Sequence, residues 1–344
     1  MLKTKAAILY QLNRPLRVEE IIVPDLKNGQ VLVKMLACGL CRSQLNEIKG
    51  YKGEDPFLPH LLGHEGSGEV IKTGGGVTKV RKGDRVVLSW IKGQGCDIPS
   101  TIYLQGQKRI NSGAVACLSE YTIASENRVV KVSKKIPPMA AALLGCAIPT
   151  GAGMVLNTLK VKNGSSLAVI GVGGIGAAVI LAAKMAGVQR IIGIDILKRK
   201  LDFAKSLGAT NVLNASEKTF SSQLNRLREE GIDYAVECSG AGQAMELAFA
   251  VVKDRGRVVI AGNLKKGSKI SIDPFDLIKG KRITGTWGGE TNTDVDIPKY
   301  ARAYLSGKLK LDQLITQQFC LSEVNRAFSV LEKGGVGRVM VRFE

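Results

Sequence analysis

Up to about residue 140, short β-branched runs alternate with Gly, Pro and Asp: QVLVKML (30–36), GSGEVIKTG (66–74), GDRVVLSW (83–90), SEYTIAS (119–125) and RVVKVS (128–133). Short strands broken by frequent turn residues predict a β-rich, barrel-like domain. The stretch KTGGGVTKVRKGDRVV (72–87) predicts a hairpin or loop joining two of them. From about Thr150 the pattern changes to strand and helix in alternation. SLAVIG, a helical run to Lys184, RIIGID, KRKLDFAKSLGA, TNVLNA, FSSQLNRLREEG, IDYAVECSG, AGQAMELAFAVVK and GRVVIAG follow one another. That rhythm predicts βαβ units on a doubly wound parallel sheet. The last fifty residues return to a mixed pattern, with amphipathic helices at 297–307 and 322–334 and a closing strand, GRVMVRF. The sheet domain, 148–287, is therefore expected to be inserted into a first domain formed by 1–147 plus 288–344, in keeping with a length that suits two domains of roughly 150 residues each.

Charge changes this picture little. The surplus of +19 could signal nucleic acid, an anionic membrane or an acidic ligand. Its lysines and arginines are scattered, as in KRKLDFAK and KGKR, and aromatic residues make up only 5%. A solvated surface is the expectation, with an anionic small molecule left open. A basic nucleic-acid-binding protein that senses NAD is the alternative, and it predicts binding that weakens steeply with salt. Near the N-terminus the apolar stretch covers only Ala6 to Tyr10, which does not read as a secretory signal, so a cytoplasmic place is expected. The longest uncharged run, Leu167–Ala183, has 17 residues, short of the roughly 20 that cross a bilayer, and its glycines bunch in its first ten positions. No membrane association is expected. Seven widely spread cysteines make thiolate or metal chemistry a better expectation than a disulfide framework.

Gly171, Gly173 and Gly176 form a G-x-G-x-x-G loop after an apolar strand and at the start of an Ala-rich helix; Asp195 ends the next strand, 24 residues after Gly171. Gly171 permits the turn, Gly173 admits a pyrophosphate, and Gly176 lets helix and strand pack closely. The N–H groups of the helix start, Gly173-Gly174-Ile175-Gly176, then face the phosphates. Asp195 would accept from adenosine ribose hydroxyls and repel a 2′-phosphate, which favours NAD over NADP. Lys198-Arg199-Lys200 counts somewhat the other way.

The two histidines fall in LPHLLGHEGSGEV, where Pro59 and Gly63 argue against a helix joining His60 to His64. His60 reads as a surface or packing residue. His64 and Glu65 sit in a Gly-flanked turn. CGLCRS places Cys38 and Cys41 three residues apart, and spacing alone leaves open whether both or one does chemistry. Cys146 reads, from its surroundings, as a small core residue before a Pro-Thr-Gly turn.

CGLCRS, GHEGSGEV, GDRVVL, LLGCAIPTGAG, GVGGIG and the C-terminal GKLKLDQLITQQFCLSEVNRAFSVLEKGGVGRVMVRF, in that order, resemble the medium-chain zinc-dependent alcohol dehydrogenase family. The resemblance implies a GroES-like β-rich catalytic domain with an inserted Rossmann domain. It implies one catalytic zinc on Cys41, His64 and Cys146, with Cys38 a packing neighbour and Glu65 behind the metal. It further implies NAD as cofactor, Ser43 as the residue taking the hydroxyl proton, Arg42 and Arg338 at the cofactor pyrophosphate, Lys200 at the adenosine ribose, and Trp90 with Ser43 at the substrate. The implied partner is a small alcohol, aldehyde or ketone, polyols included, and the charge suggests an anionic sugar derivative. A homodimer or homotetramer pairing near RITGTWGG is also implied. A metal-free reductase of the same superfamily is the alternative within enzymes.

Three departures stand out. Cys96 and Cys117 alone between Trp90 and Cys117 cannot form the four-cysteine structural zinc lobe of many members, so none is expected. Gln44 stands where an acid commonly holds the ligand histidine; an amide can still accept the imidazole N–H but removes a negative charge. Asn46 replaces a histidine that ends the proton relay in some members and cannot titrate near neutrality.

Overall fold

The computed structural model describes residues 1–265 and 267–344, which divide into two compact units, Met1–Ala147 with Asn292–Glu344, and Ile148–Thr291.

The first unit is built on the strand Gln30–Gly39, which pairs antiparallel with Glu65–Thr73, Tyr121–Ser125 and Arg338–Arg342. Val31, Val33 and Met35 face one cluster, with Leu9, Leu88 and Val341, while Leu32 faces the other, with Ile8, Ile21, Tyr103 and Ile110. Burial on both faces explains why QVLVKML lacks the alternation of a half-exposed strand. The seven-stranded sheet is completed by Arg85–Ser89, Val129–Lys131 and Ile315–Cys320. Beside it, Lys3–Leu9, Arg17–Ile22, Ile102–Gln105, Lys108–Asn111 and His60–Leu61 close a small barrel. The hairpin at 102–111 lies in the stretch left unassigned by the sequence pattern. Its strands are four residues each, with one fully buried side chain apiece, Tyr103 and Ile110. Loop 92–98 is gathered by buried Glu126, which accepts from the N–H groups of Thr78, Lys79 and Cys96 at 2.6, 2.9 and 2.9 Å.

The second unit is a six-stranded, wholly parallel sheet in the order Asn211–Asn214, Arg190–Asp195, Ser166–Ile170, Ile232–Glu237, Val252–Ile260, Arg282–Gly285. Strand order reverses beside Ser166–Ile170, and ligands of such sheets bind at that point, off the carboxyl ends of the strands. The helix that follows, Gly174–Met185, buries Ala177, Ala178, Ala182 and Ala183. Its small side chains let it lie close to the sheet, and burial of Gly176–Ala183 accounts for a sequence that is apolar up to Lys184. Among the described residues no helix is long and apolar enough to cross a membrane.

Candidate metal centre and dinucleotide loop

Cys41 stands between the end of the strand Gln30–Gly39 and the helix Arg42–Ile48, as the helix N-cap. Its N–H donates to Gln44 Oε1 at 3.0 Å, which fixes the first turn. His64 lies between His60–Leu61 and Glu65–Thr73, so neither histidine is helical. Gly63 before it takes φ +103°, and a Cβ there would meet Cys117 N and Leu118 N at 2.6 Å, so only glycine makes this turn. The backbone of His64 is pinned by Trp90 N–H, which donates to its carbonyl at 3.2 Å. Cys146 arrives on the turn after the helix Pro138–Leu143. Gly145 makes that approach possible, because a Cβ would lie 3.0 Å from Glu65 Cα and would strike the Leu88 carbonyl. Ser89 Oγ then donates to the Gly145 carbonyl at 2.7 Å.

These three segments bring one ligand atom each from Cys41, His64 and Cys146 within 4.8 Å of one another. Cys41 and Cys146 are buried and His64 is half-buried. The Cys41 thiol is held well below its ordinary value, first by a hydrogen bond from Cys146, against the effect of burial, and then by His64 and the charge of Arg338. Two thiols, that of Cys41 thiolate-prone, beside an imidazole are the donor set of a zinc site with a fourth position left for water or substrate. Cys38 is outside the cluster. It is fully buried, and burial together with a hydrogen bond to Cys117 pushes its thiol well up. The spacing of CGLC thus does not translate into two converging sulfurs, since Cys38 lies within a strand and Cys41 beyond its end.

Glu65 is fully buried, with one oxygen accepting from Ala147 N–H at 2.9 Å and the other from the Arg338 guanidinium. Gly39 leaves room for that carboxylate, which a Cβ would strike. Arg338, linked by resemblance to the cofactor pyrophosphate, is here buried and engaged with Glu65. Arg42 is exposed at the first position of its helix, and Ser43, Asn46 and Trp90 are half-buried. Gln44, whose amide oxygen was expected to face an imidazole, spends it on Cys41 N–H; its Nε2 has no hydrogen-bond partner among the described residues.

In the second unit Gly171 takes φ +87°, and a Cβ there would lie 2.8 Å from Ser239. Gly176 packs against the Gly171 carbonyl, while Gly173 faces open space and is the N-cap of Gly174–Met185. Gly174 and Ile175 open that helix half-buried. The loop is therefore bare on the side a pyrophosphate would occupy and tight on the others. Asp195 ends its strand buried, with Oδ2 accepting from Val172 N–H at 2.9 Å and Oδ1 from Ile196 and Leu197 N–H at 2.8 and 3.1 Å. Lys200 Nζ is 3.7 Å from Oδ2. Asp195 thus braces the glycine loop, a task beyond the ribose contact expected from its position. Sequence reasoning passed over Glu237, fully buried at a strand end, whose Oε1 gathers Ser239 N–H, Ser239 Oγ and Gly240 N–H at 2.6, 2.6 and 2.8 Å. An acid at a strand terminus two residues before Ser-Gly was the available signal.

The sequence matches the alcohol dehydrogenase GroES-like domain over residues 27–134 and the zinc-binding dehydrogenase domain over 174–303. It is 34% identical over 371 residues to the class-3 alcohol dehydrogenase of Zea mays, covering 99% of this chain and 97% of that one. The chain belongs to the zinc-dependent medium-chain alcohol dehydrogenase family. As a zinc alcohol dehydrogenase it is an oxidoreductase acting on CH–OH groups. Its fold is similar to benzyl alcohol dehydrogenase from Acinetobacter calcoaceticus, with TM-score 0.90, 28% identity and full coverage of both chains. It is likewise similar to 2R,3R-butanediol dehydrogenase from Bacillus subtilis, with TM-score 0.81, 26% identity and coverage of 99% and 100%.

Proposed function

We propose that this zinc alcohol dehydrogenase carries one catalytic zinc on Cys41, His64 and Cys146, has no four-cysteine structural zinc, and uses NAD to oxidise an alcohol of the polyol or sugar-derivative class. The convergence of two thiols and an imidazole in one buried cluster carries the reading. Zinc bound there supplies Lewis acidity that brings an alcohol's O–H within reach of deprotonation near neutral pH.

The chain's own groups do the rest. Ser43, two residues beyond Cys41, takes the hydroxyl proton and hands it on to water, since Asn46 has no titrating group to receive it. The Gly173-Gly174-Ile175-Gly176 helix start offers N–H groups to the pyrophosphate, and Arg42 carries an exposed guanidinium suited to phosphate at the start of its own helix. Asp195 meets the ribose hydroxyls, with Lys200 beside it, and its charge disfavours NADP. Glu65, held between Ala147 N–H and Arg338, keeps a negative charge next to His64. Trp90, fixed through its own N–H to the His64 carbonyl, supplies an apolar wall for substrate. The surplus of +19, though scattered over the surface, adds anionic sugar derivatives to the substrates to be tried beside neutral ones. The edge strand Arg282–Gly285, with exposed Trp287 and Ile278 near it in sequence, is the proposed dimer contact.

The test is NADH formation across simple alcohols, vicinal diols, polyols and sugar phosphates, with wild type, Ser43→Ala and Cys146→Ser. Ser43→Ala is expected to lower kcat by about a hundredfold, and Cys146→Ser to abolish turnover in a folded protein. Undiminished turnover in Cys146→Ser would overturn the proposed site.

A further inference from the structure

His60, Asp55 and Glu47 form a second group in the first unit whose ligand atoms lie within 4.8 Å of one another, and none of its members belongs to the thiolate cluster. His60 sits on the two-residue strand His60–Leu61, clamped between Leu9 and Asn111, and its side chain is 7% exposed. Asp55 lies in the loop after the helix Arg42–Ile48, and Glu47 lies on that helix.

The ring's protonation follows from its neighbours. Nδ1 is 2.9 Å from the Leu61 carbonyl, which can only accept, so Nδ1 carries a hydrogen. In the neutral ring Nε2 is then a bare lone pair, and it faces Asp55 Oδ2 at 2.7 Å and Glu47 Oε1 at 3.6 Å. Lone pair against two carboxylate oxygens is repulsive unless a cation lies among them. A proton on Nε2 satisfies Asp55 but leaves Glu47 Oε1 beyond hydrogen-bond length. A metal ion with bonds of about 2 Å reaches all three ligand atoms. The remaining carboxylate oxygens are already occupied: Asp55 Oδ1 accepts from Phe57 N–H at 3.0 Å, and Glu47 Oε2 pairs with Lys52 at 2.8 Å. An imidazole whose other nitrogen is tied to a backbone carbonyl is the form in which histidine ordinarily ligates metal.

The geometry points to a second, thiol-free site for a divalent cation of the zinc class, on His60 Nε2, Asp55 Oδ2 and Glu47 Oε1. The imidazole selects against calcium and magnesium, which prefer all-oxygen ligands. An ion there fastens the loop 50–58 to the helix whose start carries Arg42 and Ser43, so its role is to hold structure and not to react.

The experiment is elemental analysis of the whole protein after equilibration with micromolar zinc and removal of unbound ion, for wild type, His60→Gln and Asp55→Asn. The expected result is one more zinc per chain in wild type than in either variant, with alcohol oxidation by the variants kept within about twofold. Should His60→Gln fail to fold, Glu47→Gln, on a partly exposed helix position, makes the same comparison. Equal zinc contents in wild type and the folded variants overturn the site, and so does an extra zinc that survives all three substitutions, since that ion is bound elsewhere. Failure of the thiolate site is separable, because it is read from Cys146→Ser and leaves the difference between wild type and His60→Gln untouched.

Discussion

Gln44 is the side chain through which one substitution should alter the proposed metal centre. Its oxygen holds Cys41 N–H, and its buried Nε2 has no hydrogen-bond partner among the described residues. Replacing it by glutamate keeps the acceptor, removes an unanswered buried donor and adds a negative charge beside the ligands. Gln44→Glu is therefore expected to slow zinc loss to a chelator by about tenfold and to raise the kinetic pKa of alcohol oxidation; unchanged values for both would sink the assignment. At this scale the sequence was legible unevenly. Gly171, Gly173, Gly176 and Asp195 could be singled out because their spacing and the strand–turn–helix–strand context are local, and the structure places them at one loop and the strand end that braces it. Cys146 does not, because 105 residues separate it from Cys41 and only folding past Gly145 joins them; resemblance to a family, not local pattern, singled it out. His60 read as a packing residue, since nothing local shows that Asp55 and Glu47 turn back upon it.

Among elements, loop 92–98, part of the stretch where the family resemblance breaks, is gathered by a carboxylate. Burial opposes the charged form of Glu126, but N–H groups of Cys96, Thr78 and Lys79 outweigh it and bring the carboxyl down to about 2. A folded-state value below the unfolded one means the stabilisation is fully present above about pH 4.5 and is lost as pH falls toward 2. Glu126→Gln is thus expected to cost on the order of 2 kcal/mol at neutral pH and to narrow the gap to wild type as acid is added. Denaturant unfolding at pH 7 and pH 4 reads this; a gap that does not shrink would contradict it. Asp195 unites two elements in the same way. Asp195→Ala loses both the brace on Val172 N–H and the proposed ribose acceptor, so the KM for NAD should rise at least about tenfold with no matching gain for NADP. An unaltered KM for NAD would place the ribose elsewhere. The long strands and helices were legible because their hydrophobic periods persist over many residues. The hairpin 102–111 was not, being two four-residue strands whose register is set by closure of the barrel.

At the scale of the whole molecule, the proposed zinc ligands come from one compact unit and the glycine loop from the other. The proposed dimer adds the edge strand Arg282–Gly285 of one copy to that of another, and Trp287 and Ile278, each 78% exposed, make the surface near it in sequence apolar. Sedimentation should give a mass of at least two chains for wild type and one chain for Trp287→Asp with Ile278→Asp; a monomeric wild type would contradict the proposal. The central claim is that two thiolates and an imidazole hold the metal that alcohol oxidation needs, and the near-ultraviolet spectrum of the cobalt-substituted protein tests it most directly. A strong thiolate-to-cobalt charge-transfer band in wild type, lost in Cys146→Ser together with turnover, is the result expected. A cobalt-loaded, active protein with no such band would contradict it.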